Sequence, residues 1–557
     1  MTAFLQTYRL ALTPLSPIHI GCGEDFEPTN YVIEDDVLYG FEPSRAVLSD
    51  HLRSKLMDLG NKASLLGIQR FFSDNAAVFK AQATTLIPVS DGIARKYAKD
   101  IGKTVNIEAN GNQIFNQFII ERASYTGANK LPYIPGSSLK GALRTAWIDA
   151  LNNGAPIPGE TKSSQGLETS LLKGDFECSP LRQIKIADLM PTQEPRRRVV
   201  FGVNRKKKQV IKDGQEVQPR GVTARKECIT PGQYRTFWAD AVIPSLETNK
   251  ASPDSIRKLT PHPDMRLSSL KVLGKRSNAY HLPRLIEELK TLEERYFVDP
   301  SWANAIRGLV NGELAPKLQT GDVFLVRLGR YGGANSKTLS GKGVAKIRIM
   351  QGKGQPAAIL DTTKTVWLAA DQETQMKGML PFGWALIEID PSEDLQELKR
   401  WCQQQGQSHP DLKPLREALE SERSAAVQRK AQLQAEAKAR ALAQEQEAKA
   451  ADERAKALAA MSPQQQIIAT LKQECLDLAE RIKSGNFKKQ APDIGRAGLY
   501  QEATKIVKAA LESTAWTDLE RAELADTLEK LLPEVISPWD AKEQRKKLKF
   551  ALLRGQS

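Results

Sequence analysis

The chain has 557 residues, and its 80 Lys and Arg residues exceed its 66 Asp and Glu residues, giving a formal net charge of +14. At roughly 100 to 200 residues per domain, this length predicts three or four packed units rather than one core. The basic excess favours a polyanionic partner, most commonly a nucleic acid backbone, although an acidic membrane surface or simple solubility also fits.

Several classes of protein are disfavoured because the sequence patterns typical of them are absent. No stretch reaches the roughly 20 consecutive apolar residues of a membrane-spanning helix, and the first ten residues lack the layout of a signal peptide. Five cysteines are scattered without a CxxC pair, and there are only five histidines. We therefore expect a soluble, cytoplasmic protein without membrane contact, disulfide framework, zinc site or cofactor.

The first part of the chain alternates strand and helix patterns. Short apolar segments between turn residues predict strands from Tyr8 to Tyr39, and apolar residues at helical spacing predict helices over Pro43–Leu59 and Ser138–Leu151. Gly154–Gly232 is rich in Gly, Pro, Ser and basic residues, which indicates an insertion of loops and hairpins projecting from the core. Ordered patterning returns over Ala239–Asp390 and predicts a second unit of helices and strands, so the fold class expected is α+β.

The last part of the chain is predicted to be helical. Leu415–Met461 contains no Gly or Pro and is dominated by Ala, Glu, Gln, Lys and Arg, which favours one long exposed helix acting as a semi-rigid spacer. A small all-α domain follows. Its predicted helices are Gln464–Lys483, Gly498–Leu511, Asp518–Leu532 and Ala541–Arg554, with capping signals at Ser462-Pro463, Thr517 with Glu520, and Ser537-Pro538.

The segment Tyr133–Arg144 has the composition of a phosphate-binding turn. A strand end meets Pro135-Gly136, then Ser137 and Ser138, then Lys140 and Arg144 one helical turn apart. Backbone amides at a helix start, hydroxyl donors and basic side chains together suit a phosphate group. A capped helix with solvated charges explains the same residues. The P-loop spacing and the GxGxxG dinucleotide turn are both absent.

Two further glycine clusters have related chemistry. Gly329–Thr338 follows a strand, and its glycines allow RNA to approach the main chain while Arg330 and Lys337 supply charge and Tyr331 offers a face for base stacking. A flexible hairpin loop is the alternative. The other cluster, Gly21-Cys22-Gly23, follows His19. Its glycines allow a ligand to approach the main chain closely, beside the ionisable imidazole of His19.

A basic cluster lies between Arg196 and Lys226. It holds eleven Lys and Arg residues against Asp213 and Glu216, and its basic core is Arg205-Lys206-Lys207-Lys208. The apolar residues Val199-Val200-Phe201 and Val210-Ile211 predict an extended β-ribbon that inserts between nucleotides or between subunits. A solvated hairpin is the alternative.

Ile18–Gly23, the Pro-Gly-Ser-Ser-x-Lys-Gly-x-x-Arg string of Pro135–Arg144 and a late glycine-rich loop together resemble the RAMP proteins of type III CRISPR-Cas systems. Asn30–Asp35 and Asn335–Thr338 are most similar to the terminal backbone subunit of the type III-A (Csm) complex. The resemblance spans roughly residues 8–390, and the C-terminal extension from Leu415 lies outside it.

The resemblance implies two modified ferredoxin-like, RRM-related RAMP folds and a role as a structural subunit that binds CRISPR RNA (crRNA) toward its 3′ end and assists crRNA maturation. It implies target RNA, other type III effector subunits, above all the adjacent backbone RAMP protein, and host ribonucleases as partners. The expected segments are a first RAMP-like domain at 1–153, a basic hairpin insertion at 154–238, a second RAMP-like region at 239–392, a helical linker at 393–461 and a helical domain at 462–557. The residues predicted to bind RNA are Gly21, Gly23, Gly136, Ser137, Ser138, Lys140, Arg144, Arg205, Lys206, Lys207, Arg330, Tyr331, Gly332, Gly333, Asn335 and Lys337.

No catalytic residue is predicted. Related target-cleaving subunits carry an aspartate just before the Val-Ile strand, whereas Thr29 and Asn30 stand there in this chain, which leaves Asp25 as the best remaining candidate. His19 lies between two isoleucines, a setting typical of a structural histidine rather than a general base. A metal-dependent endoribonuclease acting on crRNA precursor or target RNA is the alternative, and a protein-interaction adaptor working through the C-terminal helices is a third hypothesis.

Overall fold

The structure of the chain is a computed structural model, and it describes residues 5–107, 113–127, 130–157, 163–174, 176–219, 223–244, 253–254, 260–350, 354–485, 487–491 and 498–556. The chain forms two compact units, Met1–Gln428 and Arg429–Ser557. None of the helices within these ranges combines the length and the apolar character required to cross a membrane.

The first unit mixes strands and helices. Its strands β1 to β21 are, in chain order, Leu5–Pro14, Gly21–Phe26, Tyr31–Glu34, Val37–Gly40, Thr85–Pro88, Thr104–Ile107, Gln113–Phe115, Ile120–Ala123, Lys185–Ile186, Met190–Pro191, Arg197–Lys206, Ile211–Lys212, Gln215–Glu216, Ala224–Ile229, Phe237–Pro244, Val323–Arg327, Ile347–Ile349, Ala358–Leu360, Thr365–Ala370, Leu380–Pro381 and Trp384–Ile389. Its helices α1 to α11 are Asp50–Asn61, Leu65–Asp74, Ala76–Lys80, Asp91–Asp100, Gly136–Asn152, Ser164–Leu172, Pro180–Gln183, Leu270–Glu294, Pro300–Asn311, Ala315–Thr320 and Gln396–Gln407. The predicted mixture of strands and helices is confirmed.

The first large sheet is antiparallel and is buried on both faces. Its strands follow the order β10-β15-β1-β21-β16, with β9 also paired to β15. On β16, Val323 and Leu325 enter one apolar core, and Phe324 and Val326 enter another. Helices α5 and α8 contribute side chains to the second of these cores, for example Trp147 of α5. Burial on both faces explains why β16 and β21 are almost entirely apolar rather than alternating.

The second large sheet has the order β2-β8-β14-β11-β19-β20, in which β8 and β14 run parallel. Both large sheets therefore take strands from the segments predicted as separate at 1–153, 154–238 and 239–392. Whether the chain contains two ferredoxin-like folds with those boundaries stays a prediction.

Strand β11 differs from the predicted projecting ribbon. Val199 and Phe201 are buried in the core beneath the second sheet, because β11 pairs with β14 on one side and β19 on the other. The short hairpin of β12 and β13 is the part of the cluster that exposes apolar residues, Val210 and Ile211. The apolar residues of β11 gain more from burial in the sheet than a solvated ribbon offers.

A smaller sheet, β3-β4-β5, packs against α1 to α3. Its core contains stacked and tilted phenylalanine rings, among them Phe41, Phe72 and Phe79. The next helix, α12 at Lys413–Ala459, confirms the predicted long helix, and Leu419 near its start is buried in this same core.

The second unit contains α13 to α17, at Pro463–Lys483, Leu499–Glu512, Asp518–Val535, Ala541–Lys547 and Phe550–Leu553. The capping signals predicted at Ser462 and at Thr517 with Glu520 are confirmed as complete capping boxes. The cap predicted at Ser537 is wrong, since α16 starts at Ala541 and its N-cap is Asp540. A carboxylate accepting two amide hydrogen bonds caps this helix in place of the serine.

Candidate nucleic-acid interface

The predicted phosphate turn at Gly136 starts helix α5 and packs closely against its own protein. The Gly136 amide donates to the Asp188 carboxylate at 2.8 Å. A Cβ atom at Gly136 would collide with the carbonyl oxygens of Ile186 and Ala187. This glycine is therefore required for the approach of another segment of the chain, and its amide already binds a carboxylate.

The side chains that follow Gly136 divide into engaged and accessible groups. Lys140 donates to the Ile184 carbonyl at 2.9 Å, and burial together with nearby Lys185 lowers its pKa. Arg144 donates through Nε to Glu168 at 2.9 Å in an ion pair. Ser137 is exposed and Ser138 half-buried. Contact between these residues and RNA stays a prediction, and Ser137 and Arg144 are the two exposed groups among them.

The glycine-rich loop after β16 is fixed against the segment that precedes β2. The Arg330 amide donates to the His19 carbonyl at 2.9 Å, and a Cβ atom at Gly329, whose φ is +78°, would collide with that carbonyl. Tyr331 follows in the left-handed region, with φ of +68°. Such a conformation is rare for a tyrosine and is maintained by the surrounding contacts.

The far end of this loop is also held in place. Arg284 of α8 donates to the carbonyls of Asn335 at 3.2 Å and Thr338 at 3.3 Å. The Asn335 side chain donates to Thr362 Oγ1 at 2.8 Å and accepts from the Thr363 amide at 3.0 Å. The loop is thus an anchored element rather than a free hairpin, and the Asn335 amide group is occupied by protein partners.

The basic residues predicted after Asn204 behave differently from one another. Lys207 Nζ lies 3.4 Å from Thr362 Oγ1, which places it beside the Asn335 end of the glycine-rich loop. Arg205 is buried and donates to the carbonyls of Glu373 at 2.8 Å and Gln375 at 2.6 Å, so it supports its own loop. Lys206 is half-buried.

The cluster around Gly21 lies between the segment that leads to Gly136 and the glycine-rich loop. The Ser124 amide donates to the Ile20 carbonyl at 2.6 Å, and the Tyr133 amide donates to the Ser124 carbonyl at 3.0 Å, three residues before Gly136. On the other side, His19 accepts the Arg330 amide. Gly21 is exposed, and Gly23, with φ of +86°, has open space around its Cα.

These hydrogen bonds connect the predicted clusters through neighbouring backbone segments, which together we call the loop track. It runs from the start of α5 at Gly136, past Gly21, to Arg330 and along the glycine-rich loop to Lys207. Its exposed cations include Lys337 and Arg330, whose side chain is 66% exposed. The sequence identified these clusters separately, and the fold brings them together.

An ion cluster that the sequence did not reveal lies in the middle of the loop track. The Glu121 carboxylate of β8 lies 3.1 Å from Arg330 NH1 and 3.4 Å from His19 Nε2, and it pairs with the fully buried Lys226. Hydrogen bonding from His19, followed by that from Lys226, lowers the Glu121 pKa to about 2 in spite of desolvation. The four residues of this cluster lie about a hundred positions apart along the chain, so no local sequence pattern could predict the cluster.

His19 itself is fully buried, and its Nδ1 lies 2.7 Å from the Glu227 carbonyl oxygen. These contacts agree with the structural role predicted for it.

Aromatic side chains border the cluster. The Tyr331 ring lies edge-on to Trp367 at 4.8 Å between centroids and next to Phe382 at 5.5 Å. Lys226 Nζ lies 4.5 Å from the Tyr331 ring centroid. A shallow surface cavity is lined by Tyr331, Trp367, Lys337 and the glycines between them. Trp367 was missed because it belongs to a distant strand, β19.

The residual catalytic candidate Asp25 lies half-buried on β2, paired in register with Glu121. In the ranges that the structure describes, no three His, Cys, Asp or Glu side chains come together as metal ligands. Asp25 remains the residue on which the endoribonuclease alternative is tested.

Comparison with known proteins agrees with the predicted resemblance. The family model described as the RAMP superfamily matches residues 11–260. The CRISPR system Cms protein Csm5 of Methanocaldococcus jannaschii is 31% identical over 138 residues, which are 24% of this chain and 28% of that relative. The match thus spans less than a third of the relative's length. The resemblance to RAMP proteins and to a subunit of Csm complexes is confirmed.

Two solved structures are similar at low identity. One is a chain of the cryo-EM structure of a Csm–crRNA–target RNA ternary complex in a type III-A CRISPR-Cas system, with 16% identity, a TM-score of 0.42, and coverage of 69% of this chain and 100% of that one. The other is the crystal structure of T. onnurineus Csm5, with 14% identity, a TM-score of 0.37, and coverage of 68% and 99%.

Proposed function

We propose that the chain, whose residues 11–260 match the family model described as the RAMP superfamily, is a non-catalytic, crRNA-binding subunit of a type III CRISPR-Cas effector complex. It binds the ribose-phosphate backbone of the RNA along the loop track. It caps the protein backbone of the complex toward the 3′ end of crRNA, contacts the adjacent RAMP subunit and assists crRNA maturation. Two RAMP-like folds in the first unit provide the strands from which the loops emerge.

The observation that carries this proposal is the continuity of the loop track. Hydrogen bonds through Ser124, Ile20 and His19 join Tyr133, in the segment that leads into α5, to the glycine-rich loop. A single strand of RNA therefore meets several backbone segments in sequence rather than one isolated loop. Exposed main chain at Gly21 and Gly23 permits close approach of a phosphate group, and neighbouring cations supply the charge.

The strongest candidates for direct phosphate contact are Arg330 and Lys337. Arg330 NH1 pairs with Glu121, and this ion pair keeps the guanidinium beside the loop, where its other N–H groups remain available to a second anion. Lys337 is exposed at the opposite end of the short helical turn Ala334–Ser336. The two cations therefore flank the glycines of the loop.

The test is the binding of a single-stranded RNA by the full chain, measured by fluorescence anisotropy over a series of salt concentrations. Replacing Arg330 and Lys337 by alanine should weaken binding and reduce the slope of log affinity against log salt by about 1.4, at about 0.7 per phosphate contact. The matched control replaces Arg53 and Lys55 on α1, which are exposed and remove the same charge. Equal losses in both double variants would show that only net charge matters and would contradict the proposal.

A further inference from the structure

Strand β19 places a tryptophan on the solvent side of the second large sheet. Val366 and Leu368 enter the apolar core beneath this sheet. Trp367 between them is half-buried, and it packs at the margin of a small apolar cluster on the opposite face that includes Phe382. The solvent side of a sheet with one buried face normally carries polar residues. The half-exposed indole departs from that pattern, and it does so beside the glycine-rich loop.

Tyr331 supports this indole but has little free ring surface of its own. The Tyr331 ring lies edge-on to that of Trp367, with 4.8 Å between centroids and 70° between planes. Lys226 Nζ lies over the Tyr331 ring, 4.5 Å from its centroid, and the Phe382 ring is tilted beside it at 5.5 Å. An edge-on neighbour covers at most one face of the indole. Trp367, rather than Tyr331, is therefore the ring with a face to offer a ligand.

The shallow surface cavity that Trp367 lines has room for a flat ring. Its volume is about 360 Å³, which lies within the range of roughly 300 to 1,000 Å³ typical of small-molecule sites. Gly332 and Gly333 contribute main chain to its lining, and the space around the Cα of Gly333 is open. A ring lying on the indole would therefore meet no side chain from Gly333, and it could stay attached to a longer molecule outside the cavity.

The charges around the cavity select the kind of ligand. Arg330 and Lys337 also line it, and both are exposed. No Asp or Glu is among the described residues of the lining. Only one guanidinium nitrogen of Arg330 pairs with Glu121, so other N–H groups remain available. A cationic ligand is repelled here, whereas a ligand that joins a flat ring to negative charge fits both features. A nucleotide within an RNA strand has this chemistry.

We propose that one nucleobase of the RNA bound on the loop track stacks on Trp367, while Arg330 and Lys337 bind neighbouring phosphates. The inference rests on the proposed RNA binding. Every nucleobase has a π-face, so stacking on an aromatic side chain adds affinity with little dependence on sequence. Trp367 therefore strengthens the grip on the strand without reading which base is present, as suits a subunit that must accept RNAs of different sequence.

The experiment compares two single-stranded RNAs of ten nucleotides, one of uridines and one in which every nucleotide is abasic. The affinity of the full chain for each is measured by fluorescence anisotropy. Replacing Trp367 by leucine keeps an apolar side chain on the sheet but removes the ring. Trp367→Leu should weaken binding of the uridine RNA about tenfold, within the range found for the loss of one stacked base. Binding of the abasic RNA should change by less than about twofold, because that RNA has no base to stack.

Two further variants protect the test against changes in folding. Trp367→Phe retains an aromatic face and should bind the uridine RNA within about threefold of the unmodified protein. Trp238 is the matched control, because it is also half-buried on a strand, β15 of the first large sheet, and the Arg9 guanidinium already lies over its ring at 4.7 Å. Trp238→Leu should change the affinity for neither RNA.

The outcomes separate base stacking from the proposed function. Equal weakening of both RNAs by Trp367→Leu, or a similar loss in Trp238→Leu, would reveal a general effect on the fold and refute stacking. Unchanged binding of the uridine RNA by Trp367→Leu would refute stacking while leaving RNA binding intact. The Arg330→Ala and Lys337→Ala double variant should weaken both RNAs alike, because both carry the same phosphates. Failure of the unmodified protein to bind either RNA would overturn the proposed function and this inference together.

Discussion

Replacing Glu121 by glutamine tests the ion cluster at the centre of the loop track. The substitution keeps the shape of the side chain but removes the charge that compensates Lys226, which is fully buried. Breaking a buried pair by removing one partner is strongly destabilising, because the remaining charge has neither water nor a counter-ion. The first unit should therefore be less stable in the variant.

The expected size follows from the pKa of Glu121. A fall from the ordinary 4.5 to about 2 corresponds to about 3 kcal/mol at about 1.4 kcal/mol per pKa unit. The side chain is 26% exposed, and solvent screening reduces the expected loss to about 2 kcal/mol. This is a large part of the 5 to 15 kcal/mol by which domains are typically stable.

The dependence on pH has a definite sign. Because folding lowers the pKa of this carboxyl group, its contribution is complete above the unfolded value near 4.5 and is lost as pH falls toward about 2. The difference in unfolding free energy between the unmodified protein and the Glu121→Gln variant should be constant from pH 7 to pH 5. It should shrink below pH 4.5.

Urea unfolding followed by tryptophan fluorescence is a suitable assay, because six of the eight tryptophans lie before residue 429. The control is Glu34→Gln, which removes the partner of Lys80 in a more exposed ion pair and should cost less than about 1 kcal/mol. If the two variants lose the same small amount of stability, Glu121 does not compensate Lys226 and the reasoning fails.

Two further predictions concern the loops. Gly329→Ala should lower the free energy of unfolding of the first unit by more than about 2 kcal/mol in the same urea assay, since the added Cβ collides with the His19 carbonyl. Gly343 has a similar φ of +75° but open surroundings, so Gly343→Ala should cost only the roughly 1 to 2 kcal/mol typical of a left-handed residue. Equal losses in the two variants would contradict the packing argument. Asp25→Ala should leave unchanged any cleavage of labelled crRNA precursor seen with the purified protein and Mg²⁺, and abolition of that cleavage would favour the endoribonuclease alternative.

Features that depend on neighbouring residues could be predicted from the sequence. The long helix α12 follows from an uninterrupted run of helix-forming residues, and the caps at Ser462 and Thr517 follow from side chains three residues from their partners. The cap at Ser537 failed because Asp540 offers a stronger acceptor three residues later. A local sequence pattern therefore predicts that a helix is present, whereas the residue at which the helix starts depends on which nearby side chain caps it best.

Features that depend on distant residues could not be predicted. The charge of Arg205 suggested exposure, but the fold supplies carbonyl acceptors from Glu373 and Gln375 that satisfy its guanidinium in a buried position. Glu121 gave no signal at all, because its importance arises from partners on three other segments. Basic and glycine-rich composition identified the loops one by one, and it gave no indication that the fold brings them together or of which charges remain available.

The surroundings of each glycine refine where RNA contact should be sought. Gly136 and Gly329 are the most conspicuous in the sequence, yet both lack space for a Cβ because the protein's own backbone occupies it. Gly23 and Gly333 have left-handed φ values and open space instead. A glycine that protein packing requires is explained without a ligand, whereas a glycine exposed beside Arg330 or Lys337 leaves main chain accessible to a phosphate. The proposed interface therefore centres on Gly23 and Gly333 rather than on the helix start at Gly136.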